Sequence, residues 1–230
     1  MKITAIYGTQ RKSCTYNIAK QFIEELLEED ELSEFFLPKD ASNYCRGCFK
    51  CFEDYTSCPD YGDLKPILEA MLRSDLILFT SPVYVYHTTG QMKAFLDHFG
   101  YQWMAHQPRA EMFHKRALII STAAGAGTKS AIKDIKDSTD FWGIAETYSY
   151  GKNVAAIHWE DVSHKKKLEI QNQVQGLALK IKKKSSHVRP SLKVKALFYM
   201  MRFLHKKYGF NPVDVAHWEK RGWLKNKRPW

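Results

Sequence analysis

Apolar residues along this chain fall into two alternating patterns, and the alternation predicts the fold. Residues 75–80 (Asp-Leu-Ile-Leu-Phe-Thr) and 116–122 (Arg-Ala-Leu-Ile-Ile-Ser-Thr) are apolar almost without interruption, as strands covered on both faces are. Shorter strands are predicted at 2–7, 33–37 and 144–149. Between them the apolar positions recur at helical spacing. Ile18, Phe22, Leu26 and Leu27 mark a helix over 17–29, and Leu64, Ile67, Leu68, Met71 and Leu72 one over 64–73. Further helices are predicted over 90–104, 127–141 and 165–184, the last with Leu168, Val174, Leu177 and Ile181 inward. Strands separated by helices in this way predict an α/β fold, a doubly wound five-stranded parallel sheet.

The pattern changes beyond position 184. Residues 185–190 read as a linker, dividing a main domain at 1–184 from a basic, aromatic-rich C-terminal helical extension at 185–230. Val194, Leu197, Phe198, Met201 and Leu204 form one stripe of a helix over 192–208, while Ala196, Tyr199, Met200 and Phe203 lie off it. A helix apolar nearly all round needs cover from two directions. Asn211 caps a short helix with Pro212 at its first position, and Gly222 ends it. Such an extension packs on its own domain, crosses a dimer, or lies on a membrane surface.

Composition narrows the setting. At 230 residues, with 44% hydrophobic and 26% charged positions, the chain has the make-up of a soluble globular protein. No run approaches the ~20 apolar residues of a spanning helix, so no transmembrane segment is expected. The start carries no secretory signal pattern, and the expected setting is cytoplasmic and reducing, with the five cysteines as thiols or metal ligands. The net charge of +10 is uneven: residues 160–230 carry 18 Lys and Arg against 5 Asp and Glu. That tail is a solvated surface or a contact for something negatively charged. It carries no recognised nucleic-acid motif, so no nucleic-acid partner is expected, and a nucleic-acid-binding module is the least supported function class.

Three loops follow predicted strands and therefore face one crevice, where ligands of such sheets bind. The first, Gly8-Thr9-Gln10-Arg11-Lys12-Ser13-Cys14-Thr15, runs from a strand into a helix start. Helix-start N–H groups, the hydroxyls of Thr9, Ser13 and Thr15, and the Arg11 fork together suit an anion. A triphosphate loop would need Gly-Lys-Ser/Thr, and a dinucleotide fingerprint more than the single Gly8, so one phosphate fits best. The second loop is Ser81-Pro82-Val83-Tyr84-Val85-Tyr86, followed by His87, and the third is 122–127.

With these motifs the chain resembles the flavodoxin-fold NAD(P)H-dependent FMN reductases, nearest the branch that contains iron–sulfur flavoproteins. The resemblance rests on Gly-Thr-x-Arg-x-Ser-x-Thr, Cys-x-Gly-Cys-x-x-Cys, and Ser-Pro-Val-Tyr with Lys93 and Asp97 downstream, and covers about residues 1–150. It implies a flavodoxin-like sheet, bound FMN, NAD(P)H as electron donor, and a homo-oligomer, dimer or tetramer, with the flavin near a subunit boundary. Carried over by position, it implies that Thr9, Arg11, Ser13, Cys14, Thr15 and Tyr16 hold the phosphate end. Pro82, Val83, Tyr84 and Val85 would line the ring, and Thr122, Ala123, Ala124 and Gly125 its other edge. The family usually has serine where Thr9 stands, and Cys14 has little hydrogen-bonding power. Tyr84, Tyr86 and His87 would face a small-molecule electron acceptor: a quinone, nitroaromatic, azo compound or flavin. No catalytic acid–base residue is required, because the cofactor carries the hydride chemistry.

Cys45, Cys48, Cys51 and Cys58 lie within 14 residues, spaced as one segment wrapping an iron–sulfur cubane would space them. Zinc, which favours two separated pairs, fits less well. Free thiols covering the flavin are the favoured reading and a [4Fe-4S] cluster the alternative. With a cluster, the competing function is an iron–sulfur flavoprotein-type carrier passing electrons to a protein partner.

Overall fold

The computed structural model describes residues 1–27, 31–183, 188–209 and 211–230. Its centre is a five-stranded parallel sheet: β1 (Ile3–Tyr7), β2 (Leu32–Phe36), β3 (Leu76–Pro82), β4 (Arg116–Ala123) and β5 (Glu146–Asn153). The strand order is β2-β1-β3-β4-β5, with every pair parallel. This is the flavodoxin-like doubly wound order, whose reversal of direction falls between β1 and β3. Each of the eight β4 residues is buried, as is β3 up to Ser81, because helices cover both faces.

Alternate strand residues feed two cores. On one face Ile3, Ala5, Leu76, Leu78, Leu118 and Ile120 pack under α1 (Cys14–Leu26) and, further along the chain, a helix over His164–Lys182. On the other, Ile6, Ile77, Phe79, Ala117 and Ile119 meet three longer helices and one short one. In chain order these are α2 (Lys50–Glu53), α3 (Tyr61–Arg73), α4 (Gly90–His98) and α5 (Thr128–Phe141). The helix over His164–Lys182 is α6.

Several boundaries differ from the sequence expectation. α1 begins at Cys14 rather than 17, and the predicted end at 28–29 lies outside the described residues. α4 stops at His98 instead of continuing to 104. A single 3-10 turn over Gly100–Gln102 follows it, and the Met104 N–H donates to the Phe141 carbonyl, which buries Met104 in the core. β5 starts two residues later than predicted: the Ala145 N–H bonds to Lys115 O and its carbonyl accepts from Ser191. The inward face of α6 is Ile170, Val174, Ala178 and Ile181, while Leu168 is exposed and Leu177 half-buried. Small Ala178 had concealed the true stripe.

The extension forms α7 (Leu192–Lys207) and α8 (Pro212–Lys220), with Asn211 capping α8 through Val213 N–H as predicted. The predicted linker at 185–190 and the boundary at 184 fall largely outside the described residues. Val194 and Phe198 of α7 join Trp218, Trp223, Met104 and Phe113 in a third, aromatic core. Phe113 meets Phe198 edge-on at 5.8 Å, and Phe198 stacks on Trp218 at 4.9 Å. The extension therefore packs on its own chain, at the end of the sheet where β4 and β5 begin.

Candidate functional site

At the opposite end, where β1, β3, β4 and β5 finish, lies a cavity of about 210 Å³. It brings together Thr9, Arg11, Ser13, Cys14 and Thr15 from the first loop, Pro82, Val83 and Tyr84 from the second, and Thr122, Ala123 and Ala124 from the third. Val154, Ala156 and Ile157 complete it, and sequence reasoning missed them. The signal was present: they follow the last strand, and the rule that ligands bind beyond strand carboxyl ends includes that loop.

The first loop is built by a close backbone approach. The Gly8 N–H donates to Thr80 O at 2.7 Å, and Thr89 Oγ1 donates to Gly8 O at 2.6 Å. A Cβ on Gly8 would sit 2.8 Å from the Thr80 carbonyl, so only glycine passes here. Ser13 precedes α1 without capping it with its side chain. The N–H groups of the first helical turn, which have no intrahelical acceptor, thus face the cavity end. Thr9 Oγ1 accepts from the Arg11 N–H, and Thr15 and Thr122 share a hydroxyl–hydroxyl bond of 2.5 Å across the cavity floor.

Two donors meet on one oxygen. The Arg11 Nη2 and the Ser13 hydroxyl each donate to the Ile157 carbonyl at 2.6 Å. A phosphate oxygen, carrying more charge than an amide carbonyl, is the stronger acceptor for such a pair. The donor set therefore fits a phosphomonoester, and the loop after β5 is what that group would displace.

The second loop doubles back in a tight turn. Tyr84 and His87 exchange two backbone hydrogen bonds, at 3.0 and 3.1 Å, around Val85 and Tyr86. Both turn residues have positive φ, 48° and 67°, a conformation costly for a β-branched or aromatic residue. Asp134 on α5 holds the turn in place, accepting from Thr88 N–H at 3.1 Å and lying 3.0 Å from His87 Nδ1. Val85, Tyr86 and His87 face solvent and do not line the cavity, so Val85, expected along the ring, lies outside it. Of the remaining predicted residues, Gly125 lies off the cavity with its carbonyl accepting from Asn153, and Tyr16 packs against Tyr7 and Phe36. Tyr7 donates to Glu34 at 2.7 Å, and burial together with that carboxylate pushes its phenol above the usual range.

A second cavity, of about 320 Å³, is lined by all four clustered cysteines. Cys45 and Cys48 are exposed, and Cys51 and Cys58 half-buried. Burial, and then the neighbouring thiols Cys58 and Cys45, push Cys51 up to about 11. Burial also raises Cys58. The spacing foresaw this gathering but not its other walls, Asp60, His98 and Tyr101. The ligand atoms of Cys58, Asp60 and His98 lie within 4.8 Å of one another. Asn43 organises the last two, with Nδ2 donating to Asp60 Oδ1 at 2.7 Å and its carbonyl 3.0 Å from His98 Nε2.

The profile of the NADPH-dependent FMN reductase family matches residues 1–158. An iron–sulfur flavoprotein of Archaeoglobus fulgidus is 25% identical over 232 residues, covering 97% of this chain and all of that protein. One from Methanocaldococcus jannaschii is 25% identical over 74% of this chain and 87% of its own. Among solved structures, an FMN-dependent NADH-azoreductase from Bacillus anthracis shares the fold with a TM-score of 0.56 at 15% identity, covering 77% of this chain and all of that one.

Proposed function

The chain belongs to the NADPH-dependent FMN reductase family, and we propose that the cavity beyond the strand ends is where its FMN sits. It is an FMN-dependent NAD(P)H oxidoreductase, and in this reading the acceptor is a small molecule: a quinone, nitroaromatic, azo compound or flavin. Arg11, Ser13 and the α1 start hold the phosphate. Pro82, Val83 and Tyr84 take one side of the ring, and Thr122, Ala123 and Ala124 the other. Bound there, FMN supplies the hydride-accepting ring. The protein orients it, excludes water beneath it and offers Tyr84, Tyr86 and His87 at the open side for an acceptor to stack and hydrogen-bond. The single observation carrying this is the convergence of Arg11 and Ser13 on one oxygen at the mouth of that cavity.

In the same reading residues 1–184 are the flavin-binding unit, and a homodimer or tetramer forms in the cytoplasm. Exposed Val85 and Tyr86, next in the chain to Tyr84 of the cavity wall, support a subunit closing over it, and five unpaired cysteines suit a reducing compartment. A second reading, a one-electron carrier with a [4Fe-4S] cluster, is favoured by the four thiols around one cavity.

The test is an absorbance spectrum of purified protein, before and after anaerobic NADPH. The expected result is a flavin spectrum that NADPH bleaches and a quinone restores over many turnovers. Protein that takes up no FMN, or whose flavin NADPH leaves untouched, defeats the proposal. Broad absorbance near 400 nm that persists beneath the bleached flavin, combined with negligible quinone turnover, selects the carrier.

A further inference from the structure

α7 has two apolar faces, and among the described residues the fold buries only one. Val194 and Phe198 are fully buried against Trp218, Trp223 and Phe113. On the far side Leu192, Ala196, Tyr199, Met200 and Phe203 recur at spacings of three and four, so they form one continuous outward stripe. Leu192 is 85% exposed, Phe203 57%, Met200 45% and Tyr199 41%. Large apolar side chains aligned in this way are more than the scattered exposure normal for a surface.

Cations surround the stripe. α7 contains Lys193, Lys195, Arg202, Lys206 and Lys207 and no acidic residue. Lys193 is paired with Asp140 on the inner side. Lys207 Nζ stands 5.7 Å from the Phe203 ring centre, and the Arg202 guanidinium 5.2 Å from that of Tyr199. The C-terminal turn adds more. Arg202 donates to Lys227 O at 2.5 Å and Arg228 to Tyr199 Oη at 3.3 Å, which brings exposed Lys227 and Arg228 alongside.

We infer that this outer face of α7 docks the protein onto anionic lipid bilayers. An apolar stripe bordered by lysine and arginine is the pattern of a helix lying in the headgroup plane, with its apolar side chains among acyl chains and its cations at phosphates. A second copy fits worse, because a two-fold contact would bring the cations of two helices into one seam with no acidic residue of α7 to oppose them. A polynucleotide would match the charge and leave the apolar stripe in water. α7 is anchored at the end where β4 and β5 begin, with Ser191 N–H on Ala145 O at 3.0 Å. Docking there leaves the crevice at the other end of the sheet open to solutes.

The experiment is co-sedimentation of the full chain with phosphatidylcholine vesicles and with vesicles in which about a third of the lipid is phosphatidylglycerol, at low and high salt. The expected result is at least about tenfold stronger partition onto the anionic vesicles, weakening as salt screens the cations. Met200→Glu with Phe203→Glu is expected to lower that partition about tenfold or more, with far-ultraviolet dichroism and NADPH–quinone turnover unchanged. Lys206→Glu with Lys207→Glu is expected to lower it through charge alone. Equal binding to both vesicle types, or glutamate variants that sediment like the parent, overturn the inference. So does a dimer in light scattering that the Met200/Phe203 pair splits while the parent ignores vesicles, or retention on an oligonucleotide in preference to lipid.

Discussion

The two ends of the sheet hold their candidate chemistry by different means. Beyond the strand carboxyl ends, the groups that face the cavity are carried by loops only a few residues from a strand. Gly8 is bonded to Thr80 and Thr89, and Val83 N–H to Thr122 O. Backbone position there follows from strand register, with Tyr7 opposite Thr80 and Pro82 opposite Thr122. At the other end, the thiol loop and the extension are joined through the side chains of His106 and Gln107, which lie between them in the chain. Gln107 Nε2 donates to Phe52 O at 2.7 Å and reaches Asp214 Oδ1 at 3.3 Å, while His106 Nδ1 lies 2.8 Å from Asp214 Oδ2 and its ring edge meets Phe52. A cradle fixed by the sheet needs few specific side chains. A loop fixed by a network depends on each member.

The largest test of that contrast is Asp214→Ala. The carboxylate is buried at 2% exposure and serves two partners, so its loss removes the carboxylate partner of His106 and leaves Gln107 with the Phe52 carbonyl alone. Destabilisation of about 3 kcal/mol is expected. The loss is expected to fall on one end. Thiol-labelling rates at Cys51 and Cys58 rise, while FMN affinity changes less than about threefold, or ~0.7 kcal/mol. Equal disturbance of labelling and flavin affinity would erase the distinction between the two ends.

Arg11→Ala probes the other end and comes next in size. Removing one charge-assisted donor from a partly exposed phosphate site costs about 2 kcal/mol, or ~30-fold in the FMN dissociation constant. Fluorescence quenching of added FMN measures it. Melting temperature should hardly move, because Arg11 is exposed and contributes no packing to either core. A lost melt with unchanged flavin binding would assign Arg11 to structure, through its bond to Ile157.

The same contrast explains what could be read in advance. β3 and β4 were legible because burial on both faces leaves an unbroken apolar run, and the loops after them were legible because strand ends fix where ligands go. Ile157 was not, since its part is played by a backbone carbonyl that no side-chain pattern reports. The cysteine spacing announced a gathering, yet His98 reaches it from a distant chain position, tied to Asp60 through Asn43, which one-dimensional spacing cannot express. Met104 reads as the last turn of a helix. The chain instead turns at Gly100, and Met104 leaves α4's line to fill the aromatic core beneath α7. The outward stripe of α7 was visible as excess apolarity, but which face the fold would cover required Trp218 and Trp223 in place.

The smallest effect is a pH dependence confined to the extension. His217 is held neutral at both nitrogens, with Nε2 donating to Pro108 O at 3.0 Å and Nδ1 accepting from Arg221 at 3.2 Å. Burial, then the charge of Arg221, lower its pKa from the usual 6.5 to about 4, with Arg109 pushing the same way and Asp214 opposing. The unfolded chain therefore takes up a proton that the folded chain refuses. The stabilisation is complete above pH ~6.5 and drains as pH falls towards 4. Because the site is only partly buried, solvent screening leaves about 1 kcal/mol of it. Tryptophan emission, which Trp218 and Trp223 dominate in this region, should report loosening at pH ~5 before the flavin end changes, and His217→Phe should flatten that response. If flavin release and tryptophan exposure instead begin together in both proteins, the ends are coupled through the sheet, and the side-chain network at the extension is not the weaker fastening.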